Sequence, residues 1–521
     1  DDVNLNWVRK LSIKQEFEQY DDSTFVLKSD EFLVDFGVST NSKRGLVGKR
    51  SVSKENLILN QAPDSNVYAG LLVSLDDSSA LRTNDYWDVT RHNELTTSES
   101  GTYESMDSLK KMPAFRRTMD IVMLVLSGYK AFGVIDVGPM NTFYSFNPIE
   151  GFRPRIGGTT NIKFSKKLRI EGYGAYGFKD KKFKYFISSK LSLGKGDVRQ
   201  FPENAISTSY QNDTKIPGQE LQFIQEDNIL LSFKRGLNDK WLYNKIFRLN
   251  YLREFKNNTS FEVGYKHWLQ SPAGGLIYAH QDGTEVSSIT TSEAMLRLRW
   301  APNEQYYQGK SYKRPIINGY PIFTLTGING IKGVLGGEYN FQNISLNIFK
   351  RLYLSQLGFA DIVLNAGKIF GDVPFPLMKI HRANQTYSYQ IQSYNLMNFL
   401  EFVSDRYVGI NIDYHFTGFI ANKIPLIKKL KWRVVSSAKV LYGGISDKNN
   451  PALNPETLSF SKDTDGDVST HEFGSVPYVE GGVGIENIFK VFRVDLLRRF
   501  TYLDHKEVAK LGLRVRFKLQ F

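Results

Sequence analysis

The last eleven residues alternate. From Leu511 to Phe521 the odd positions are Leu511, Leu513, Val515, Phe517, Leu519 and Phe521. The even positions are Gly512, Arg514, Arg516, Lys518 and Gln520. A period of two, with one apolar and one cationic face, predicts a β-strand between two unlike surroundings. The pattern recurs. Phe183, Tyr185, Ile187, Leu191 and Leu193 alternate with Lys184, Ser188, Lys190 and Ser192. Val408, Ile410, Ile412, Tyr414 and Phe416 alternate with Gly409, Asn411, Asp413 and His415. Trp432, Val434, Ala438, Val440 and Tyr442 alternate with Arg433, Ser437 and Lys439.

Strand length separates the architectures. Strands of soluble folds average ~5–6 residues, and a membrane crossing needs ~9–11. Many runs here last about ten to fourteen, on the membrane side of that divide. Trp432 and Tyr442 share a face. At ~3.3 Å per residue and a ~40° tilt they stand ~25 Å apart along the membrane normal, the height of an apolar band between aromatic girdles. The fold class expected is all-β: a transmembrane antiparallel outer-membrane β-barrel of about 16 strands, with a small N-terminal periplasmic or plug segment. The predicted strands are 121–132, 151–162, 167–178, 182–194, 227–234, 243–256, 259–270, 292–301, 318–328, 338–352, 357–369, 400–416, 430–443, 476–487, 491–502 and 510–521. Fourteen or eighteen strands stay open.

An even count puts both termini on the periplasmic side. Outer connections 133–150, 271–291, 370–399 and 444–475 are then long, and inner ones such as 163–166 and 353–356 short. Two inner connections, 195–226 and 302–317, break that asymmetry. The expected division is 1–118, a periplasmic N-terminal segment, and 119–521, the barrel. In the first part Leu11–Gln19 and Thr24–Val38 read as strands joined by Asp21-Asp22-Ser23. Tyr103, Met106, Leu109 and Met112 read as a short amphipathic helix ended by Pro113. This part reads as the end of a larger N-terminal region.

Composition removes other classes. The 521 residues include no cysteine, so disulfides and thiolate metal sites are excluded. No apolar run approaches ~18 residues, the length of a spanning helix. The mean hydropathy of −0.34 fits a barrel whose strands are apolar at alternate positions. The net charge of +13 is spread along the chain, and no nucleic-acid motif accompanies it, so no nucleic-acid partner is expected.

Several segments carry a family resemblance. They include Asn6-Trp7-Val8-Arg9-Lys10, Tyr86-Trp87-Asp88 with Arg91 and Glu94, and Tyr144-Ser145-Phe146-Asn147-Pro148-Ile149-Glu150-Gly151-Phe152-Arg153. Gly367-Lys368-Ile369-Phe370-Gly371-Asp372-Val373-Pro374 and Gly484-Ile485-Glu486-Asn487-Ile488 follow. In this order they resemble a Bacteroidota outer-membrane barrel family of uncharacterised function. Its members usually carry an N-terminal carboxypeptidase-regulatory-like domain, an accessory β-sandwich that is absent here. The barrel is also distantly similar to the outer-membrane assembly and translocation barrels. No Arg-Gly-Phe or Arg-Gly-Tyr tip motif occurs, which sets the chain apart from that insertase mechanism.

Chemistry-bearing motifs are few. None of His92, His267, His280, His381, His415, His471 and His505 pairs with another at metal-ligand spacing. His415 is expected to face the lumen as a hydrated bystander. No nucleophile elbow, Walker loop or dinucleotide fingerprint occurs. Asp463, Asp465 and Asp467 around Gly466 form either a solvated acidic turn or a Ca²⁺ site that lacks the closing glutamate of an EF-hand. Gly371-Asp372-Val373-Pro374-Phe375-Pro376 either exits a strand into a turn or tucks a loop into the barrel mouth. Arg514, Arg516, Lys518, Arg433 and Lys439 form a cationic inner face, which attracts anions in an open lumen or pairs with a plug.

No catalytic residue and no cofactor beyond that Ca²⁺ is expected. The partners expected are outer-membrane lipid and other envelope proteins, either barrel-assembly or surface-lipoprotein subunits. The function expected is a non-enzymatic subunit of an envelope complex that assembles or exports outer-membrane proteins. The alternative is a passive or substrate-selective channel with a cationic lumen.

Overall fold

The computed structural model describes residues 6–37, 46–62, 71–73, 82–91, 94–194, 196–219, 233–236, 238–308, 313–463 and 465–517. The chain opens with a sheet of β1 (Val8–Gln19), β2 (Phe25–Phe36) and β3 (Leu46–Ser53). The Asp21 carboxylate caps the β1–β2 turn, accepting from the backbone N–H groups of Ser23 and Thr24 at 2.9 and 2.7 Å. The short strand β4 (Leu71–Val73) and helices α1 (Asn84–Thr90), α2 (Thr97–Lys111) and α3 (Pro113–Ser127) follow. Thr96 and Glu99 close a capping box at the start of α2.

The wall begins with β5 (Lys130–Phe132), β6 (Ile135–Val137) and β7 (Tyr144–Asn147). Both β6 and β7 pair with β8 (Gly151–Thr160), so they act as one interrupted strand. Next come β9 (Leu168–Gly177), β10 (Lys182–Ser192), β11 (Asn204–Lys215), β12 (Lys240–Glu254), β13 (Thr259–Gly274) and β14 (Ile289–Trp300). A hairpin, β15 (Gln305–Gln308) and β16 (Lys313–Ile316), interrupts the wall. It resumes with β17 (Ile322–Gly330), β18 (Phe341–Tyr353) and β19 (Phe359–Gly371). Two bridges, β20 (Lys379–Ile380) and β21 (Val403–Ser404), lie in the next connection. The wall ends with β22 (Arg406–His415), β23 (Arg433–Gly444), β24 (Tyr478–Ile488), β25 (Phe492–Arg499) and β26 (Leu511–Phe517). A helix α4 (Pro425–Leu430) lies between β22 and β23.

These strands form one closed antiparallel barrel, in which β26 neighbours β5. With β6 and β7 counted as one and the three-residue β5 set aside, the wall has sixteen strands. The sixteen expected strands do not all map onto these. Residues 121–127 are the end of α3, so the expected strand 121–132 is a correction. Ile121–Leu126 is an unbroken apolar run, and such a run does not distinguish helix from strand by period. Most of the expected strand 227–234 lies outside the described residues. Unforeseen wall strands at β6–β7 and β11 stand in the count instead. The expected boundary at 118/119 falls inside α3.

The strand β11 also removes one irregularity. The connection 193–203 becomes a moderate turn, and the long connection 216–239 moves to the end that carries 275–288, 372–405 and 445–477. That end is the loop end, and the opposite one the turn end. The other irregular connection, 302–317, is the β15–β16 hairpin at the turn end. There β15 pairs in parallel with β4 of the N-terminal segment. Asn6 and Asn487 exchange side-chain hydrogen bonds of 2.7 and 3.0 Å, and Lys490 Nζ sits 4.4 Å over the Trp7 ring. The N-terminal sheet therefore docks on the β24–β25 turn.

The outer surface of the wall is an apolar band. Ile156, Val263, Leu296, Ile344, Val408, Leu496 and Leu513 are all exposed. At the turn end Trp300 stacks on Phe323 and Phe492 meets Phe517. At the loop end Phe152 stacks on Phe178. Apolar side chains between two aromatic rims suit a bilayer. Among the described residues, no helix is long and apolar enough to cross one.

Candidate functional site

The 372–405 connection turns back into the barrel. Gly371 makes the reversal at φ 108°, and a Cβ there would meet the Asn340 carbonyl oxygen at 2.6 Å. Val373, Phe375 and Leu377 then join a buried cluster with Leu242, Tyr278, Ile289 and Phe341 from the wall and its loops. A second cluster gathers Met397, Phe399 and Phe402 with Trp241, Leu441 and Tyr478. Burying each such side chain contributes ~1.5–3 kcal/mol. Of the two readings of Gly371–Pro376, the inward tuck is the one adopted.

Wall charges grip this insert by its backbone. The Glu480 carboxylate accepts from the Asn395 and Leu396 N–H groups at 2.7 and 2.9 Å. The Arg514 guanidinium donates to the Asn395 carbonyl at 2.6 Å, and the Lys439 ammonium to the carbonyls of Gln390, at 3.1 Å, and Ser393. Arg499 forks onto Glu401 at 3.0 and 2.7 Å. Arg514 and Lys439, expected to line the lumen, thus face inward but are spent on the plug.

Below the insert Arg493 is clasped by Asp413, at 2.9 and 2.8 Å, and by Asp495, at 2.8 Å. His415 does face inward, but it is no hydrated bystander. It is buried, stacked on Phe359, with Nδ1 3.1 Å from Glu486 and Nε2 3.4 Å from Asp413. Alternation gave its direction. Its dryness comes from Phe359 on β19, Glu486 on β24 and the Arg493 cluster on β25, which a single strand's pattern does not display.

The insert also meets the seam of the barrel. Residues 387–389 run parallel to β26 and pair with it at Ser388 and Val515. The Val515 N–H donates to the Tyr387 carbonyl at 2.9 Å, and the Tyr389 N–H donates to the Val515 carbonyl at 3.0 Å. Both backbone groups of Val515 therefore point away from β25, toward the edge that closes on the first wall strand. At this level a loop segment, not a wall strand, satisfies that edge.

At the loop-end mouth Asp463, Asp465 and Asp467 do converge, around the Lys506 ammonium. Its Nζ lies 2.9, 2.5 and 3.2 Å from their carboxylates. These contacts raise the Lys506 pKa and lower that of Asp463. The charge that a Ca²⁺ ion would bring is supplied by Lys506. Beside it a cavity of about 100 Å³ is lined by Glu401, His471, His505 and Lys506. The His471 and His505 rings lie 4.1 Å apart, and His505 Nδ1 is 2.8 Å from Glu401. Burial, with His505 alongside, pushes His471 down to about 4. Sequence spacing hid this pair, because tertiary packing alone joins two loops. His92 lies outside the described residues. Among the described residues, no group of three or more His, Cys, Asp or Glu is arranged to hold a metal.

A family of unknown function, DUF5686, matches through its C-terminal domain over residues 134–449. This chain belongs to the DUF5686 family. The match spans the wall from the turn of its first hairpin to the loop after β23. No curated protein matches. Among solved structures, the chain is similar to BamA from Haemophilus ducreyi lacking POTRA domains 1–3. Identity is 8%, coverage 75% of this chain and 71% of that one, and the TM-score 0.42. It is similar to CdiB from Acinetobacter baumannii at 13% identity, covering 71% and 57%, with a TM-score of 0.36. It is similar to Wzi from Escherichia coli, an outer-membrane carbohydrate-binding β-barrel, at 9% identity, covering 78% and 87%, with a TM-score of 0.27. The alignment spans just over half of the CdiB chain. The DUF5686 chain described here is an outer-membrane β-barrel with a filled loop end.

Proposed function

We propose that this DUF5686 chain is a non-enzymatic subunit of an envelope complex that assembles or exports outer-membrane proteins, with both termini in the periplasm. The observation that supports this reading is the seam. An edge strand is a template for another strand. Here the β26 edge is satisfied at Val515 by the loop segment 387–389. A loop segment held by two backbone hydrogen bonds at that edge is exchangeable for an incoming β-strand of a client. The N-terminal sheet and the β15–β16 hairpin, together at the turn end, give periplasmic subunits a surface to dock on. The cations Arg514, Lys439 and Arg499 are engaged with the insert, and Arg493, Arg351 and Arg297 with wall carboxylates, which weighs against an open anion path.

The test is gentle purification from the native membrane. Other envelope subunits are expected to accompany the chain in fixed stoichiometry. A lone protein that forms stable anion-selective pores in planar bilayers overturns the proposal in favour of a channel.

A further inference from the structure

Helix α3 leaves most of its described surface uncovered. From Pro113 to Val122 every residue except Phe115 is exposed. Its second half runs Ile121-Val122-Met123-Leu124-Val125-Leu126, six apolar residues in succession. Ile121 is 61% exposed, and Met119 and Val122 about 40%. Along that run the helix has no polar face to present to water, and such a surface calls for an apolar cover.

The position of α3 supplies the missing solvent. The helix ends at Gly128, in the left-handed conformation, and leads directly into the wall. The Gly128 carbonyl accepts from the Met140 N–H at 2.8 Å. Lys130, two residues after the helix end, pairs with Val137 in the first hairpin, whose rim turn is Gly133-Val134. At ~3.3 Å per residue and a ~40° tilt, the helix end stands roughly 10 Å from the rim, within the height of the wall. The wall there is lipid-facing: Phe132, Ile135 and Ile156 are exposed on its outer side. The far half of α3 and the end of α2 carry Lys110, Lys111, Arg116 and Arg117, all exposed. The helix is thus apolar toward the wall and cationic away from it.

We propose that α3 inserts its C-terminal half into the leaflet of the outer membrane at the turn end, beside the seam between β26 and β5. Its occupant is lipid. Acyl chains cover Ile121 and Val122, the exposed Asp120 marks the polar boundary one residue before them, and phosphate headgroups receive Arg116, Arg117 and the two lysines. The face is continuous with the lipid-facing wall, and the charge pattern matches a leaflet crossed from headgroup to acyl chain. This inference rests on the barrel fold and not on the assembly role, so the two fail independently.

The chain has no cysteine, so single-cysteine labelling needs no background removal. Ile121→Cys and Val122→Cys are labelled with a fluorophore in vesicles of phosphatidylethanolamine and phosphatidylglycerol. Leu513→Cys on the outer wall and Ser108→Cys in α2 serve as references. Gel mobility before and after heating checks that each barrel is folded. A quencher attached to lipid acyl chains is expected to quench the Ile121 and Val122 labels several-fold more than the Ser108 label, close to the Leu513 level. Water-soluble iodide is expected to show the reverse order. Efficient iodide quenching at both helix positions overturns the proposal, whether α3 then lies in the periplasm or in the lumen. In Arg116→Glu with Arg117→Glu, lipid quenching at Ile121 is expected to fall in vesicles with phosphatidylglycerol. An unchanged signal there overturns the headgroup assignment.

Discussion

Two sides of the same lumen carry ion pairs of the same kind but in different solvents. Toward β22–β26, Arg493 is held by Asp413 and Asp495 with side chains at most 4% exposed. Toward β12–β19, Arg351 meets Asp361 at 2.6 Å and Arg297 meets Glu262 at 2.7 Å. Those side chains are 16–33% exposed. On the first side the insert 372–405 reaches the pair itself, with the Tyr389 ring 4.3 Å from the Arg493 guanidinium, and keeps water from it. Toward β12–β19 the insert packs on Leu242, Ile289 and Phe341 nearer the loop end, and the pairs of Arg351 and Arg297 stay partly exposed. A charge pair on a barrel strand is therefore not by itself a measure of stability. What covers it decides whether it is structural or a solvated lining.

Breaking one pair on each side gives the largest contrast. Arg493→Met takes the guanidinium away from two buried carboxylates and is expected to cost about 3–5 kcal/mol. Arg351→Met, in a hydrated pair, is expected to cost about 1 kcal/mol or less. Urea unfolding followed by heat-modifiable gel mobility measures both. Equal losses would erase the distinction between the two sides.

Glu480→Ala sharpens the comparison at the insert itself. It removes the acceptor for two buried N–H groups, and a local loss on the order of 2–3 kcal/mol is expected. Amide exchange over residues 390–397 should accelerate, while exchange in β12–β19 stays unchanged. A uniform acceleration would mean that the insert is not gripped locally.

A smaller effect is expected from pH. His471 is held at about 4 in the folded mouth, against about 6.5 when unfolded. Between those values the unfolded state binds more protons. The stability contributed by the neutral ring is full above about pH 6.5 and is lost as pH falls toward 4. Amide exchange in 461–471 should rise across that window, with little change in β12–β19. His471→Gln should flatten the response.

The smallest effect concerns the acidic turn. With Lys506 among Asp463, Asp465 and Asp467, millimolar Ca²⁺ is expected to leave protease cleavage of this loop unchanged. Lys506→Met frees the carboxylates and is expected to make the cleavage Ca²⁺-sensitive. Ca²⁺ protection of the unaltered chain would show that the ion displaces the lysine.

Legibility in the sequence followed physical locality. Alternation over Leu511–Phe517 gave both the strand and its faces, because a strand's two sides are written two residues apart. It failed at Ile121–Leu126, where an unbroken apolar run carries no period, and at Asn204–Lys215. That strand reads Asn-Ala-Ile-Ser-Thr-Ser-Tyr-Gln-Asn-Asp-Thr-Lys, and polar residues fill both of its faces near the loop end. The cations Arg514 and Lys439 were legible as inward-facing. Their partners were not, because Asn395 and Ser393 offer backbone carbonyls, which leave no mark in a sequence. The seam contact at Val515 was hidden for the same reason.

The central claim is that the β26 edge must exchange the segment 387–389 for another strand. Ser388→Cys with Val515→Cys, in a chain that has no other cysteine, locks that edge on oxidation. In cells carrying only the locked chain, other outer-membrane proteins are expected to fall in abundance while the barrel itself remains folded, and reduction should restore them. Full levels of those proteins with the lock closed would contradict the account.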